Sequence, residues 1–262
     1  MQEPQSQVQP QPVSQVQIDE LQVNVYQNRK ALGQAAGLDA ATRIKSLLAE
    51  KAAVRIIFAA APSQNEMLET LAQDEAIDWS RITVFHMDEY IGLSEEAPQR
   101  FGRFLTDRLF HLVNPGTVHL INSSNEAEDE CRRYSALLEE APIDVVCLGI
   151  GENGHIAFND PPVADFADPL WIKRVELDDI CLQQQVNDGC FDRIAEVPTH
   201  ALTLTIPALM SGAHLFCSVP GVTKHQAVQR TLSGSISTEC PSTILRRHPD
   251  CTMYLDLDSY GR

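Results

Sequence analysis

Residues 144–162 read DVVCLGIGENGHIAFNDPP: an apolar run, a glycine-rich turn, a histidine, then an acidic turn closed by tandem prolines. The run 144–150 alternates too little for a half-solvated strand and suits one buried on both faces of a parallel sheet. Outward from it the same pattern recurs at 54–60 (VRIIFAA), 82–87 (ITVFHM), 201–206 (ALTLTI), 214–219 (HLFCSV) and 252–257 (TMYLDL). Between these runs the spacing predicts helices over 64–73, 99–113, 125–140 and 222–233. In the second of these, Phe101, Phe104, Leu105, Leu109 and Phe110 share one face. Strand and helix in alternation predict a single α/β domain over residues 19–262. It should be doubly wound and Rossmann-like, with a mainly parallel sheet and helices on both faces. Residues 1–18, rich in Gln and Pro, read as a flexible tail. Residues 157–200, broken by Pro161, Pro162, Pro169 and Pro198, read as a long irregular excursion of the kind that forms lids and binding loops.

Composition narrows the partners. The 262 residues carry 20 Lys and Arg against 36 Asp and Glu, a formal charge of −16. So acidic a chain disfavours nucleic acid and anionic membrane, which both need a basic footprint. An anionic small molecule is still admitted if its pocket is built from a few cations and backbone N–H groups. Cysteines 131, 147, 181, 190, 217, 240 and 251 are scattered with no C-x-x-C, so the reading is reduced thiols, with neither a disulfide framework nor a zinc site. The N-terminus has no basic start and no apolar core of a signal peptide, and no run approaches the roughly 20 residues of a membrane span. The expectation is a soluble, cytoplasmic protein.

In an open parallel sheet, ligands bind beyond the carboxyl ends of the strands, so the residues that follow each strand matter most. Ala61-Pro62-Ser63-Gln64-Asn65 follows the first run, and Asp88-Glu89-Tyr90 the second. GENGHIAFNDPP follows the third, and Pro220-Gly221-Val222-Thr223-Lys224 follows 214–219. The segment GIGENG satisfies G-x-G-x-x-G, but a dinucleotide fingerprint also needs a helix to open there. Here His155 and the turn Asn159-Asp160-Pro161-Pro162 intervene, so the glycines are read as a tight turn presenting Asn153 and His155. A carboxylate at Asp160 could fix the tautomer of His155 and free its other nitrogen for proton transfer; a structural histidine fits the pattern equally. Asp88 and Glu89 are adjacent, so in extended chain at most one faces a pocket while the other braces a loop. Asp88 is either a partly desolvated base or an acidic turn residue. Ser63, Gln64 and Asn65, opening a helix, are a phosphate seat, a plain N-cap or both. Lys224 is a phosphate counter-charge or an exposed lysine.

Together these segments resemble the glucosamine-6-phosphate deaminase/isomerase family. FHMDEYIGL (85–93) is similar to its FNMDEYVGL-type signature, and LGIGENGHIAFNDPP (148–162) to its G-x-G-x-x-G-H-I-A-F-N-E-P signature. VPTHALTLTIPAL (197–209) and PGVTKHQAV (220–228) are weaker matches. The related 6-phosphogluconolactonases share the fold and the G-H core but continue with an A-S-L-F-P type sequence, so IAFNDPP sides with the deaminases. The resemblance implies that Asp88 moves a proton between sugar C2 and C1, that His155 opens the pyranose ring, that Asp160 orients His155, and that Lys224 contacts phosphate. The implied reaction converts glucosamine 6-phosphate to fructose 6-phosphate and ammonia with no metal or redox cofactor. The partner is a small sugar phosphate, and the resemblance leaves a homo-oligomer open.

The chain departs from the family pattern in four places. Asn153 stands where some members carry Asp, and it can only orient or hydrogen-bond. Asp160 is one methylene shorter than the family's Glu. APSQN (61–65) replaces a glycine-rich T-G-G-T-P-like phosphate loop, and Gln185 falls near a position where the family has Arg. Two other readings therefore stand beside deamination: hydrolysis of a sugar-phosphate lactone, and a sugar-phosphate-binding protein without turnover.

Overall fold

A computed structural model describes residues 9–187 and 189–261. Its strands are β1 Ser14–Ile18, β2 Leu21–Tyr26, β3 Val54–Phe58, β4 Ile82–His86, β5 Asp88–Tyr90, β6 Thr117–His119, β7 Val145–Leu148, β8 Ile172–Glu176, β9 His200–Leu204, β10 His214–Val219 and β11 Cys251–Asp256. Its helices are α1 Arg29–Glu50, α2 Asn65–Ala72, α3 Phe101–Leu105, α4 His111–Val113, α5 Ala127–Glu139, α6 Asp179–Asn187, α7 Ile206–Met210, α8 His225–Ser233 and α9 Leu257–Tyr260. A π-helical turn, Thr106–Phe110, joins α3 to α4. None of the described helices is long and apolar enough to cross a membrane.

The main sheet runs β1-β2-β11-β10-β7-β3-β4-β6. Every pairing in it is parallel except that of β1 with β2. Because successive side chains in a strand face opposite ways, each central strand feeds two cores. Ile56 and Phe58 of β3 and Cys147 of β7 join α1, α2 and α3 on one face. Ile57, Val146 and Leu148 join α5, α7 and α8 on the other. This is why the runs show little alternation: neither face meets water. The chain leaves β3 toward β4 and β6 on one side, and leaves β7 toward β10 and β11 on the other. The crevice between β3 and β7 is therefore the topological switch point where ligands bind in such sheets.

Close packing on the first face has a sequence cause. Gly33 and Gly37 lie one turn apart on α1, and added methyl groups there would fall 2.4 Å from the Glu66 Cβ and 2.5 Å from the Thr70 Cβ of α2. The two glycines let the helices touch backbone to side chain. On the other face Arg55 is buried. Its guanidinium donates to the carbonyls of Leu137, Leu138 and Ala141 at the end of α5, and it lies 4.9 Å from the Phe85 ring centre.

Three expectations need correction. Of the predicted tail, residues 14–18 form β1, in register with β2 from Ser14↔Val25 to Ile18↔Leu21. Residues 1–8 lie outside the described residues. The run 201–206 is not a strand of the parallel sheet; as β9 it lies between β5 and β8 in a small antiparallel sheet. The stretch 157–200 is not wholly irregular, since it holds β8 and α6.

Candidate active site

The loops after β3, β4, β7 and β10 meet in one cavity of about 430 Å3 at the switch point. That size is at the lower end of ordinary small-molecule sites, about 300–1,000 Å3. The four strands are neighbours in the sheet, so the convergence read from the sequence has a topological cause.

The three glycines of GIGENG each answer a separate demand, none of them a nucleotide. A methyl group on Gly149 would fall 3.0 Å from the Gln64 Nε2 and 3.4 Å from the Ser63 Oγ, so Gly149 lets the loop after β3 cross it. At Gly151 an added Cβ would fall 2.2 Å from the His155 Cε1, because the imidazole lies on that glycine. Gly154 turns the chain at φ 89°, a conformation open to glycine.

His155 is buried yet lines the cavity. Its Nδ1 is 2.8 Å from the Asp160 Oδ1, and its backbone N–H donates to the Asn153 Oδ1 at 2.9 Å. Asn153 in turn donates from Nδ2 to the same Asp160 oxygen at 2.8 Å. Burial pushes the Asp160 carboxyl up, but His155, Asn153 and Cys181 outweigh it and hold the group below the usual carboxylate range. An ionised Asp160 accepts the Nδ1 proton, which leaves Nε2 of His155 as the nitrogen free for proton transfer. The shorter side chain therefore still reaches. Asp160 and Asn153 do not line the cavity; they stand behind His155, so Asn153 belongs to the support and not to the surface a ligand meets.

Asp88 opens β5 and lines the cavity, and no hydrogen bond to its carboxylate is made by the described residues. Burial, then the neighbouring charge of Glu89, pushes its pKa well above the ordinary value. Glu89 turns the other way. It accepts from the backbone N–H groups of Tyr90 at 3.0 Å, Phe101 at 3.1 Å and Gly102 at 3.0 Å, capping α3 from a distant strand. Burial pushes Glu89 up too, opposed by these N–H groups and Arg100. Just before them, His86 is held neutral by burial, its pKa pushed down to about 3. Its Nε2 accepts from the Ile121 N–H at 2.8 Å.

The other predicted contacts divide. Ser63, Gln64, Gln185 and Lys224 line the cavity; Asn65 does not, and its Oδ1 accepts from the Arg108 Nε at 2.8 Å on the surface. The fully buried Gln64 donates from Nε2 to the Ser63 hydroxyl at 3.0 Å and so braces the turn Pro62–Gln64, while its Oε1 has no partner among the described residues. Gln185 accepts from the Tyr90 hydroxyl, and its neighbour Gln184 accepts from the Glu152 N–H at 2.8 Å, so α6 is pinned across the site at two points. Lys224 ends a 3-10 turn that follows Gly221, whose φ is 95°. Sequence reading missed Arg29, Cys190 and Ala157, which also line the cavity. Ala157 sits at φ 51°, a strained conformation for a residue with a Cβ and one concentrated at functional sites. Only coordinates bring Arg29 here, because it lies at the start of an Ala-rich helix with no motif around it.

His155, Asp160 and Cys181 bring possible metal-ligand atoms within 4.8 Å of one another. Burial and then Asp160 push the Cys181 thiol far up, so it stays protonated beside the carboxylate. The chemistry of this set is that of a hydrogen-bonded acid–base group.

The family described as glucosamine-6-phosphate isomerases/6-phosphogluconolactonase matches residues 27–254. The glucosamine-6-phosphate deaminase of Bacillus cereus (strain G9842) is 38% identical over 184 residues, 70% of this chain and 68% of its own length. That of an Exiguobacterium species is 38% identical over 191 residues, covering 72% of this chain and 73% of the relative. Among solved structures, a monomeric glucosamine-6-phosphate deaminase superposes with a TM-score of 0.83 at 30% identity, covering 90% of this chain and 98% of that one. A 6-phosphogluconolactonase from Thermotoga maritima shares the fold, with a TM-score of 0.74 at 19% identity over 90% of this chain and 99% of the other.

Proposed function

The chain belongs to the family of glucosamine-6-phosphate isomerases and 6-phosphogluconolactonases, and we propose that within it this protein is an amino-sugar-phosphate deaminase/isomerase, converting glucosamine 6-phosphate and water to fructose 6-phosphate and ammonia. The observation that carries the reading is a carboxyl group with a raised pKa, Asp88, sharing one cavity with an imidazole whose tautomer is fixed by a carboxylate, His155 with Asp160.

The chemistry needs two separate groups. The C2 proton is acidic only once the ring is open and C1 is a carbonyl. His155, with Nδ1–H donated to Asp160, takes the O1 proton on Nε2 and delivers it to the ring oxygen. Asp88, ionised, then removes the C2 proton and returns it to C1, while one proton of the amino group passes to O1. The C2–N bond thereby becomes an imine, and water converts it to the ketone with release of ammonia. A base with a raised pKa is better matched to a carbon acid than an ordinary carboxylate, and each acid–base step is worth roughly 10²–10⁴ in rate. Lys224 and the Ser63 turn hold the phosphate at the far end and so keep the open chain in register.

The test is a panel of hexosamine and hexose 6-phosphates, with both C4 epimers of the amino sugar, assayed for ammonia and ketose together. The reading expects equimolar ammonia and fructose 6-phosphate from glucosamine 6-phosphate. Acid formed from 6-phosphogluconolactone with no ammonia from any amino sugar would select the lactone-hydrolase reading instead. Stabilisation by sugar phosphates with no product from any of them would select the binding protein.

A further inference from the structure

We propose that Arg29, at the start of α1, is an anion-binding residue of this cavity and supplies with Lys224 the positive charge that a substrate phosphate requires. The inference rests on the sugar-phosphate reading above and names the residue that takes over the duty in a chain where position 185 is neutral and residues 61–65 contain no glycine.

A phosphate entering a protein of formal charge −16 needs locally concentrated positive charge. Of the described lysines and arginines, Arg29 and Lys224 line the cavity, as do two carboxylates, Asp88 and Asp258. The Arg29 guanidinium is fixed on two sides: Nε donates to the Glu66 Oε1 at 2.6 Å and Nη2 to the Pro62 carbonyl. Its Nη1 makes no hydrogen bond with the described residues. The guanidinium thus stands against the first residue of the Pro62–Gln64 turn. That turn crosses Gly149 toward Ser218 of β10, the Gln64 Nε2 lying 3.5 Å from the Ser218 carbonyl. The chain running on from β10 carries Gly221 to Lys224, so the turn against Arg29 and the turn bearing Lys224 follow β3 and β10, the two strands that flank β7. An arginine already oriented by two partners loses little further freedom on meeting an oxyanion, and its planar fork suits phosphate. Glu66 tempers this charge, with its carboxylate on the guanidinium and both side chains part-exposed, 42% for Arg29 and 25% for Glu66.

Two substitutions of opposite sign separate anion binding from a merely structural brace. Arg29→Gln is expected to raise both KM for glucosamine 6-phosphate and the inhibition constant of inorganic phosphate about tenfold, with kcat within about threefold. Glu66→Gln keeps an acceptor for the Nε–H but removes the competing charge, so the phosphate inhibition constant is expected to fall about two- to threefold. A structural brace would make both variants weaker, and that result overturns the proposal. Thermal stabilisation by inorganic phosphate gives the same comparison without turnover. If the wild type releases no ammonia but phosphate stabilises it at about tenfold lower concentration than Arg29→Gln, the subsite stands and the deaminase reading falls. If the wild type turns over and Arg29→Gln shows unchanged KM and unchanged phosphate affinity, the inference falls and the reading stands.

Discussion

Asp88 carries a cost that its chemistry explains. Its carboxyl titrates above the ordinary value when folded, so the fold binds that proton more tightly than the unfolded chain does. The contribution to stability is therefore best below the unfolded pKa of about 4, declines as pH rises to the raised folded pKa, and stays unfavourable above it. Asp88→Asn removes the ionisation and should raise Tm by roughly 2–4 °C at pH 8, with the gain vanishing near pH 4. Calorimetric scans across that range check it; a lower Tm at pH 8 contradicts it. The acidic limb of the wild-type kcat/KM profile should also lie above the ordinary carboxylate range, because only ionised Asp88 is a base. Gly151 makes the complementary point about His155. Gly151→Ala places a methyl group within the imidazole, so kcat should fall about a hundredfold, with Tm lowered and phosphate binding kept. Unchanged kcat in that variant would show that the ring does not depend on its seat. The roles of Asp88, His155 and Asp160 were implied only by the family resemblance, but their positions were legible because each follows a buried apolar strand within a short motif. Arg29 was not, because its position at the cavity is a tertiary accident of where α1 begins.

At the scale of elements, legibility followed burial. The strands buried on both faces, β3, β4, β7, β10 and β11, stand out as apolar runs and lie close to where the sequence places them. Helix α1 was invisible because its buried face is largely alanine and glycine, whose weak apolar character leaves no marked stripe in the sequence. Strand β1 was hidden by composition: Val16 and Ile18 pack inward while Gln15 and Gln17 face water, an alternation masked by the glutamines around it. β9 was assigned to the wrong sheet because a buried antiparallel strand and a buried parallel one read alike. Arg55 shows how one charged residue survives inside such a run, as the donor that closes the C-terminal end of α5. Arg55→Met leaves the carbonyls of Leu137, Leu138 and Ala141 without it and should cost about 2–3 kcal/mol in urea unfolding, with KM unchanged. A loss below about 0.5 kcal/mol would mean those carbonyls find water instead.

For the whole molecule, sheet order is what turns four loops into one site. The strands β10-β7-β3-β4 are adjacent, and their carboxyl ends deliver Lys224, His155, Ser63 and Asp88 to the same crevice. β1 lies at the far edge of this sheet, so the architecture separates stability from activity there. Deleting residues 1–18 strips the partner from β2 and should lower Tm by roughly 5 °C and promote aggregation, with KM unaltered; an unchanged Tm would make β1 dispensable. The family and the deaminase assignment agree with the sheet, the cavity and the paired signatures, and the proposed mechanism turns on the proton that leaves C2. The direct measurement is ammonia release from glucosamine 6-phosphate by the wild type and by Asp88→Asn, with phosphate-induced stabilisation recorded on both. The account predicts that release falls by about 10³ or more while phosphate still stabilises the variant. Release within tenfold of wild type by the folded variant would contradict it.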